Sequence, residues 1–290
     1  MQSVGIVSPG AMGSAVADAL ARGGARVVAT IGGRSARTAR LAERARLELL
    51  PDLGAVVASA DVVLSIVPPE AAESVAEDLA SAARAASVRP LVVDLNAIAP
   101  ETSRRHAGVV GRAGCDYVDG SISGPPPWNA GTTRIYLSGD RALDVAELPM
   151  AGVERIVVGP DGGSASAVKM STASVYKGTT ALLAQALLAA HANGVLEHVL
   201  DDLRSGSPEL TANVARRLAS AATKSDRYVA EMREIALAQS SAGLAPALFE
   251  AMAEVFSELS ASDLARAMPE EVSPDVTLED VLDGLRVPER

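Results

Sequence analysis

Residues Ser3 to Leu20 constrain this chain more than any other stretch. Ser3-Val4-Gly5-Ile6-Val7 is a short apolar run rich in β-branched residues. Ser8-Pro9-Gly10-Ala11-Met12-Gly13 follows as a turn, and Ser14-Ala15-Val16-Ala17-Asp18-Ala19-Leu20 has the composition of a helix. A buried strand, a glycine turn and a helix in that order open a dinucleotide-binding βαβ unit. In that reading Gly10 lets the backbone approach a pyrophosphate, and Gly13 lets the helix pack close to its strand. The first-turn N–H groups and the positive end of the helix dipole then face the phosphates. Ser8, Pro9, Gly10, Ala11 and Met12 become candidate cofactor contacts. The match is imperfect, because Ser8 holds the place of the first glycine in Gly-x-Gly-x-x-Gly, and a plain strand-to-helix turn would look similar.

The chain beyond this turn repeats the same alternation. Arg26 to Ile31 reads as a second strand, Asp61 to Val67 as another that runs into Pro68-Pro69, and Leu91 to Asn96 as the next. Ala71 to Ala86 is helical in pattern, and Pro100 sits at a favoured first helical position. Tyr117 to Ile122, Arg134 to Ser138 and Arg155 to Val158 read as further strands. Strands apolar on both faces, alternating with helices, are the pattern of a parallel sheet covered on both sides. Gly159-Pro160-Asp161-Gly162-Gly163 is the strongest break. After it, Ser164 to Gly194 contains no proline and reads as one long helix, with Gly194 as its stop. The remainder is helical in period, punctuated by Pro208, Pro246 and Pro269. The acidic tail from Glu270 to Arg290 reads as partly loose. The expected fold is an α/β Rossmann-type domain with a parallel sheet over 1–160. An all-α substrate and dimerisation domain over 161–290 follows it.

The tip of the second strand in such a domain meets the adenosine ribose, where an acid favours NAD over NADP. No Asp or Glu occurs from Gly23 to Ala42, and Gly33-Arg34-Ser35 stands at the tip instead, with Arg37 nearby. Guanidinium groups suit phosphate oxygens, so the expected cofactor is NADP. The alternative is that these arginines only solvate the next helix.

Composition narrows the function classes. Lys plus Arg total 26 against 36 Asp plus Glu, a net charge of −10. That balance argues against nonspecific binding to nucleic acid or an anionic membrane. A single cysteine, Cys115, permits no intrachain disulfide and no cysteine-based zinc site, and it reads as a small buried residue. The three histidines, His106, His191 and His198, lie far apart without metal-ligand spacing, so no metal is expected. No apolar run has the length of a membrane span, and the N-terminal run lacks a basic start and is broken by Ser8-Pro9-Gly10. A cytoplasmic protein is expected.

Lys169 opens the long helix. At 3.6 residues per turn, Lys169, Ala173, Tyr176, Thr180 and Leu183 share one face, with Lys177 on the adjoining flank. A lysine and a tyrosine among small residues suit a cleft wall; the bland alternative is a surface lysine that snorkels. Several motifs occur here in fixed order. They are Gly-x-x-x-x-Gly-x-Met-Gly at Gly5–Gly13, Asp-x-Asn-x-x-x-Pro at Asp94–Pro100, Asp-Gly-Ser-Ile-Ser-Gly at Asp119–Gly124, Lys169, and Glu231-Met232-Arg233-Glu234. Together they resemble the β-hydroxyacid dehydrogenase superfamily, which includes 6-phosphogluconate dehydrogenase, 3-hydroxyisobutyrate dehydrogenase and imine reductases. Gly124-Pro125-Pro126-Pro127 and Lys169-Met170…Tyr176-Lys177-Gly178 resemble a bacterial branch whose C-terminal domain has no known function.

The resemblance implies hydride transfer to or from NAD(P), with Lys169 as proton donor or acceptor. It implies that Ser123 and Gly124 bind the substrate's acid group. Asn96 matches a cofactor contact, and Val67 and Pro68 match the loop beside the nicotinamide ribose. Arg233 stands where many members carry a second lysine. It also implies a homodimer through the helical domain. Two departures stand out. Pro125, Pro126 and Pro127 lack backbone N–H groups where the family loop continues with glycine. Ala173 replaces a helix asparagine, leaving Tyr176 as a hydroxyl donor one turn on. Trp128 either closes over an apolar substrate or anchors its loop. The expected activity is therefore an NADP-dependent dehydrogenase or reductase acting on a small alcohol or carbonyl compound. An imine reductase and a non-catalytic NADP-binding protein are the rivals. A methyltransferase would need an acid after the second strand.

Overall fold

In the computed structural model, which describes residues 2–268, 271–273 and 275–285, eight strands form one sheet in the order β3-β2-β1-β4-β5-β6-β7-β8. They are β1 (Ser3–Ile6), β2 (Arg26–Ala29), β3 (Glu48–Leu49), β4 (Val62–Ser65), β5 (Leu91–Asp94), β6 (Tyr117–Ser123), β7 (Thr133–Ser138) and β8 (Val153–Gly159). Neighbours from β3 to β6 pair in parallel. β7 turns back antiparallel on β6, and β8 runs parallel to β7. The connections carry α1 (Ala11–Arg22), α2 (Ala36–Arg44), α3 (Leu53–Ser59), α4 (Pro69–Ala86), α5 (Pro100–Gly111) and α6 (Ala142–Ala146).

The strand period of two sorts side chains between the two faces of this sheet. Val4, Ile6, Val62, Leu64, Leu91 and Val93 join one buried cluster with Val16, Ala19 and Leu20 of α1. Val63 and Val92 point the other way, into a cluster with Val75 and Leu79 of α4 and Val110 of α5. Cys115 belongs to that second cluster and is buried; burial raises its thiol pKa. β3 pairs through only two residues, both exposed, which is why no apolar run marks it in the sequence. The regular part of β4 is Val62–Ser65, shorter than the apolar stretch around it, because pairing ends before the turn into Pro68.

The chain divides into two compact units, Met1–Met170 and Ser171–Arg290. The helix α7 (Ser164–Ala192) starts in the first and continues into the second. Gly194 follows its end at φ +69°, the left-handed conformation that closes a helix and suits glycine. The second unit also holds α8 (Leu196–Gly206), α9 (Pro208–Thr211), α10 (Val214–Ala222), α11 (Ser225–Ser241), α12 (Ala247–Ser260) and α13 (Leu278–Leu285). Leu187, Leu218, Met232, Ile235, Phe256 and Leu282 are buried in it. Pro208 opens α9 and Pro246 precedes α12, whereas Pro269 lies outside the described residues. Within the tail, residues 278–285 form α13, which buries Val281, Leu282 and Leu285. Those three apolar residues at helical spacing outweigh the surrounding acids; residues 286–290 lie outside the described residues. No described helix is long and apolar enough to cross a membrane.

Candidate active site

In an open parallel sheet, ligands bind at the carboxyl ends of the strands, where the strand order reverses. Here the order reverses between β1 and β4, so the turns that leave these two strands frame the crevice. The turn after β1 holds Ser8 to Met12. A Cβ built on Gly13 would lie 2.1 Å from the Ser8 carbonyl oxygen; no other residue fits there, and this contact brings α1 against β1. Gly10 differs, because a Cβ built on it meets nothing within 4 Å. Packing therefore does not demand a glycine at that point, and an approaching ligand supplies a reason for one. Gly10 precedes α1 as its N-cap, without a side-chain cap bond, and the first turn of α1 has no acid. Its first amides and its dipole suit an anion, so these residues fit a dinucleotide's pyrophosphate. Pro9 is buried, whereas Ser8, Gly10, Ala11 and Met12 are partly exposed. Met12 also packs on the core.

The turn after β2 holds the residues expected at the ribose. Gly33 has φ +69°, and the Arg34 amide donates to the Ile31 carbonyl at 3.0 Å. Gly33, Arg34 and Ser35 are all exposed. Ser35 caps α2, its hydroxyl accepting from the Thr38 amide at 3.3 Å. α2 has no acid in its first turn, so an anion at this corner meets no carboxylate from it.

Val67 and Pro68 follow β4. The Val67 amide donates to Asn96 Oδ1 at 2.7 Å, and Asn96 Nδ2 donates to Ser65 Oγ at 3.0 Å. Asn96 is 2% exposed. Its side chain thus fastens the Val67–Pro68 turn to the end of β5, and its place in this structure is that of a clamp on the loop. Behind it, the Asn96 amide donates to Asp94 Oδ1 at 3.0 Å, and Asp94 Oδ2 lies 2.9 Å from His106 Nδ1. His106 is fully buried and serves this network. Among the described residues, no group of three or more His, Cys, Asp or Glu side chains is placed to hold a metal.

Ser123 ends β6, and Gly124 follows at φ +111°, where a Cβ would lie 2.3 Å from the Thr132 carbonyl oxygen. The loop to β7 is held by Thr133 Oγ1 donating to the Pro125 carbonyl at 2.6 Å and by the Trp128 amide donating to the Pro126 carbonyl at 2.8 Å. The Arg44 guanidinium stacks 4.1 Å from the centre of the Trp128 ring. Trp128 is therefore engaged by the end of α2, as an anchor of its loop is. Lys169 Nζ donates to the Ile122 carbonyl at 2.8 Å. This contact brings the lysine to the end of β6 beside Ser123 and Gly124.

The remaining expected residues belong to the second unit. Ala173, Thr180 and Leu183 are buried, but Tyr176 is 72% exposed. Tyr176 keeps its angular place on that face between Thr180 and Leu183, so along this one stripe exposure differs from residue to residue. Arg233 is exposed on α11. A cluster with no counterpart among the sequence expectations lies in the same unit. Lys177 forms an ion pair with the buried Glu231, which Arg227 also meets at 3.0 Å. Lys177 Nζ lies 4.6 Å from the centre of the Tyr228 ring. His191 Nε2 lies 2.9 Å from Asp283 Oδ1 on α13, a helix-to-helix contact. In the sequence, Lys177 stands on the flank beside the Lys169 face and Glu231 in the Glu231-Met232-Arg233-Glu234 motif, with nothing local to pair them.

A family described as the NAD binding domain of 6-phosphogluconate dehydrogenase matches residues 3–146, and a domain of unknown function, DUF1932, matches residues 190–259. The first half of the chain is an NAD-binding domain of the 6-phosphogluconate dehydrogenase type. This NAD-binding domain takes in every expected cofactor residue from Ser8 to Asn96, together with Ser123, Gly124 and Trp128; Lys169 lies outside both matches. An uncharacterized 28.5 kDa protein in the 7S RNA 5′ region of Methanothermus fervidus is 26% identical over 171 residues. Those residues are 59% of this chain and 64% of that protein, so the chain spans under two thirds of that relative's length. A conserved protein of unknown function, MTH1747, described as structurally similar to 3-hydroxyacid dehydrogenases, is 29% identical. That match covers 89% of this chain and 96% of the other, at a TM-score of 0.66. The 3-hydroxyisobutyrate dehydrogenase of Mycobacterium tuberculosis shares the fold at 21% identity and a TM-score of 0.69, over 99% of each chain. Imine reductases share it too.

Proposed function

We propose that this protein is an NADP-dependent oxidoreductase that transfers a hydride between the nicotinamide and a small-molecule alcohol or carbonyl compound, with Lys169 as the proton donor or acceptor. One observation carries the reading. The turns after β1, β2, β4 and β5 hold Ser8–Met12, Gly33–Ser35, Val67–Pro68 and Asn96, Ser123–Gly124 close β6, and the Lys169 ammonium reaches the same end of β6. That shared location at the carboxyl ends of neighbouring strands supports a cofactor site with a proton donor beside it.

The nicotinamide would supply the hydride. The chain's own residues do the rest. The amides of the α1 turn bind the pyrophosphate, and Arg34 with Ser35 receives the ribose phosphate. The Asn96 clamp holds Val67 and Pro68 against the nicotinamide side. Ser123 orients the substrate's polar group, and Lys169 gives its proton to the oxygen that gains charge in reduction, or removes one in oxidation. Trp128 borders the substrate through its loop. Exposed Val175, Leu182, Leu244 and Leu248 in the second unit support a homodimer through its helices. The acidic net charge and single buried cysteine support action in the cytoplasm, apart from nucleic acid and membranes.

Imine reduction is the second reading, favoured by the likeness to imine reductases and by the loss of amide donors at Pro125–Pro127. NADPH oxidation with cyclic imines, set against NADP+ reduction with a panel of β-hydroxy acids, separates the two. On the substrate that turns over, Lys169→Ala should lose roughly 10²–10⁴-fold in rate; full retained turnover would remove Lys169 from the reaction.

A further inference from the structure

Asp119 is 1% exposed and lies in the middle of β6, yet the hydride-transfer reading gives it no task. Its carboxylate accepts five hydrogen bonds. Oδ1 accepts from Ser103 Oγ of α5 at 2.7 Å and from Ser166 Oγ of α7 at 2.6 Å. Oδ2 accepts from Ser138 Oγ of β7 at 2.8 Å, from the Gly163 amide at 3.1 Å and from the Ser166 amide at 3.0 Å. Two of these five donors are backbone N–H groups at the start of α7, where a helix carries unpaired amides and the positive end of its dipole. The same turn is fixed twice more: the Ala165 amide donates to Ser138 Oγ at 3.0 Å, and Ser121 Oγ donates to the Ala165 carbonyl at 2.8 Å.

The position of this clamp matters for Lys169. Ser166 touches Asp119, and Lys169, three residues on, touches Ile122, three residues on from Asp119. Helix and strand are thus joined at two matched points. Over three residues the helix advances about 4.5 Å and the strand about 10 Å. The four-carbon stem of lysine spans the difference. Where Nζ ends up is therefore set by where α7 begins, and Asp119 sets where α7 begins.

We propose that Asp119 is a positioning residue: by holding the first turn of α7 on β6 and β7, it places the Lys169 ammonium at the Ile122 carbonyl, beside Ser123 and Gly124. The proposal rests on the reading of Lys169 as the proton donor only for its catalytic meaning; the placement itself is measured separately. The chain has three lysines, Lys169, Lys177 and Lys224, against 23 arginines, so each amine can be followed in its own peptide. Competitive acetylation with acetic anhydride, read by mass spectrometry from pH 6 to pH 10 on the full chain, reports each lysine's reactivity and titration. In Asp119→Ala the reactivity of Lys169 should rise roughly tenfold with a displaced pH midpoint, as its hydrogen bond to Ile122 is lost. Lys224 should remain within about twofold, a control for general loosening. Unchanged labelling of Lys169 in folded Asp119→Ala would overturn the proposal. Should that variant not fold, Ser166→Ala removes one of the five bonds and should move Lys169 in the same direction by about threefold; no change there would equally overturn it. A Lys169→Ala enzyme with full turnover would defeat the donor role and leave the labelling result intact. An inactive Lys169→Ala with unchanged labelling in the clamp variants would defeat the positioning role alone.

Discussion

Gly10 and Gly13 stand three residues apart in one turn, and adding the same methyl group to each should have opposite consequences. At Gly13 the new Cβ would lie 2.1 Å from the Ser8 carbonyl oxygen, 3.1 Å from its carbon and 3.4 Å from Ile6 Cγ2. The two nearest atoms are backbone, so the β1–α1 unit has to separate. Forced overpacking of this kind costs about 1–3 kcal/mol or more, a Tm loss of roughly 2–4 °C per kcal/mol in a chain of this size. At Gly10 the new Cβ meets nothing within 4 Å, and φ is −71°, so the fold should tolerate it within about 0.5 kcal/mol. The methyl would instead occupy space where the pyrophosphate comes close. If that contact costs about 1–3 kcal/mol, NADPH affinity falls roughly 5- to 150-fold. The assay is a thermal melt of each variant together with NADPH titration by nicotinamide fluorescence. Gly10→Ala should melt like the parent and bind weakly; Gly13→Ala should melt early. A Gly10→Ala protein that binds NADPH as tightly as the parent would refute the placement of the pyrophosphate at this turn.

Other variants test the neighbouring turns. Arg34→Ala should weaken NADPH about 10- to 100-fold by removing a charge-assisted contact while leaving NADH nearly unchanged, as titrations with both cofactors would show; equal losses for both would refute the phosphate role. Asn96→Ala leaves the Val67 amide without its partner and should cost about 1–3 kcal/mol in urea unfolding as well as cofactor affinity; an unchanged urea midpoint would deny the clamp. Burial, and secondarily the neighbouring Arg227, lowers the pKa of Lys224. The unfolded chain therefore binds more protons between that lowered value and the free lysine value of about 10.4, and stability should rise with pH across this window. Lys224→Met should abolish that rise in urea midpoints; a rise that persists would assign it to another group.

Much of the fold was legible because period and punctuation agree. β1, β4 and β5 are apolar on both faces, and Pro100 and Gly194 stand at helix ends where such residues belong. β3 and α6 left little signal, being two and five residues long. α13 hid behind the acids and prolines of the tail. At the site, the glycine turn and the Arg34 corner could be read locally, since their chemistry rests on consecutive residues. Asp119, Ser166 and His106 could not be read in the same way. Their roles depend on contacts across 47 positions for Asp119 to Ser166 and 12 for Asp94 to His106, which only the sheet order brings together. Asn96 matches a cofactor position, and its hydrogen bonds to the Val67 amide and Ser65 Oγ show that its side chain also holds the Val67 turn. For Trp128 the sequence leaves a substrate cover and a loop anchor open, and the Arg44 stack is one contact of the second kind.

The most direct test is a titration of the purified protein with NADPH and NADH in parallel, followed by nicotinamide fluorescence at fixed ionic strength. Saturable NADPH binding, with NADH at least about tenfold weaker, is the result predicted from the open Gly10 turn and the acid-free corner at Arg34. Absence of binding by either cofactor would contradict the assignment of the carboxyl ends of β1, β2 and β4 as a dinucleotide site.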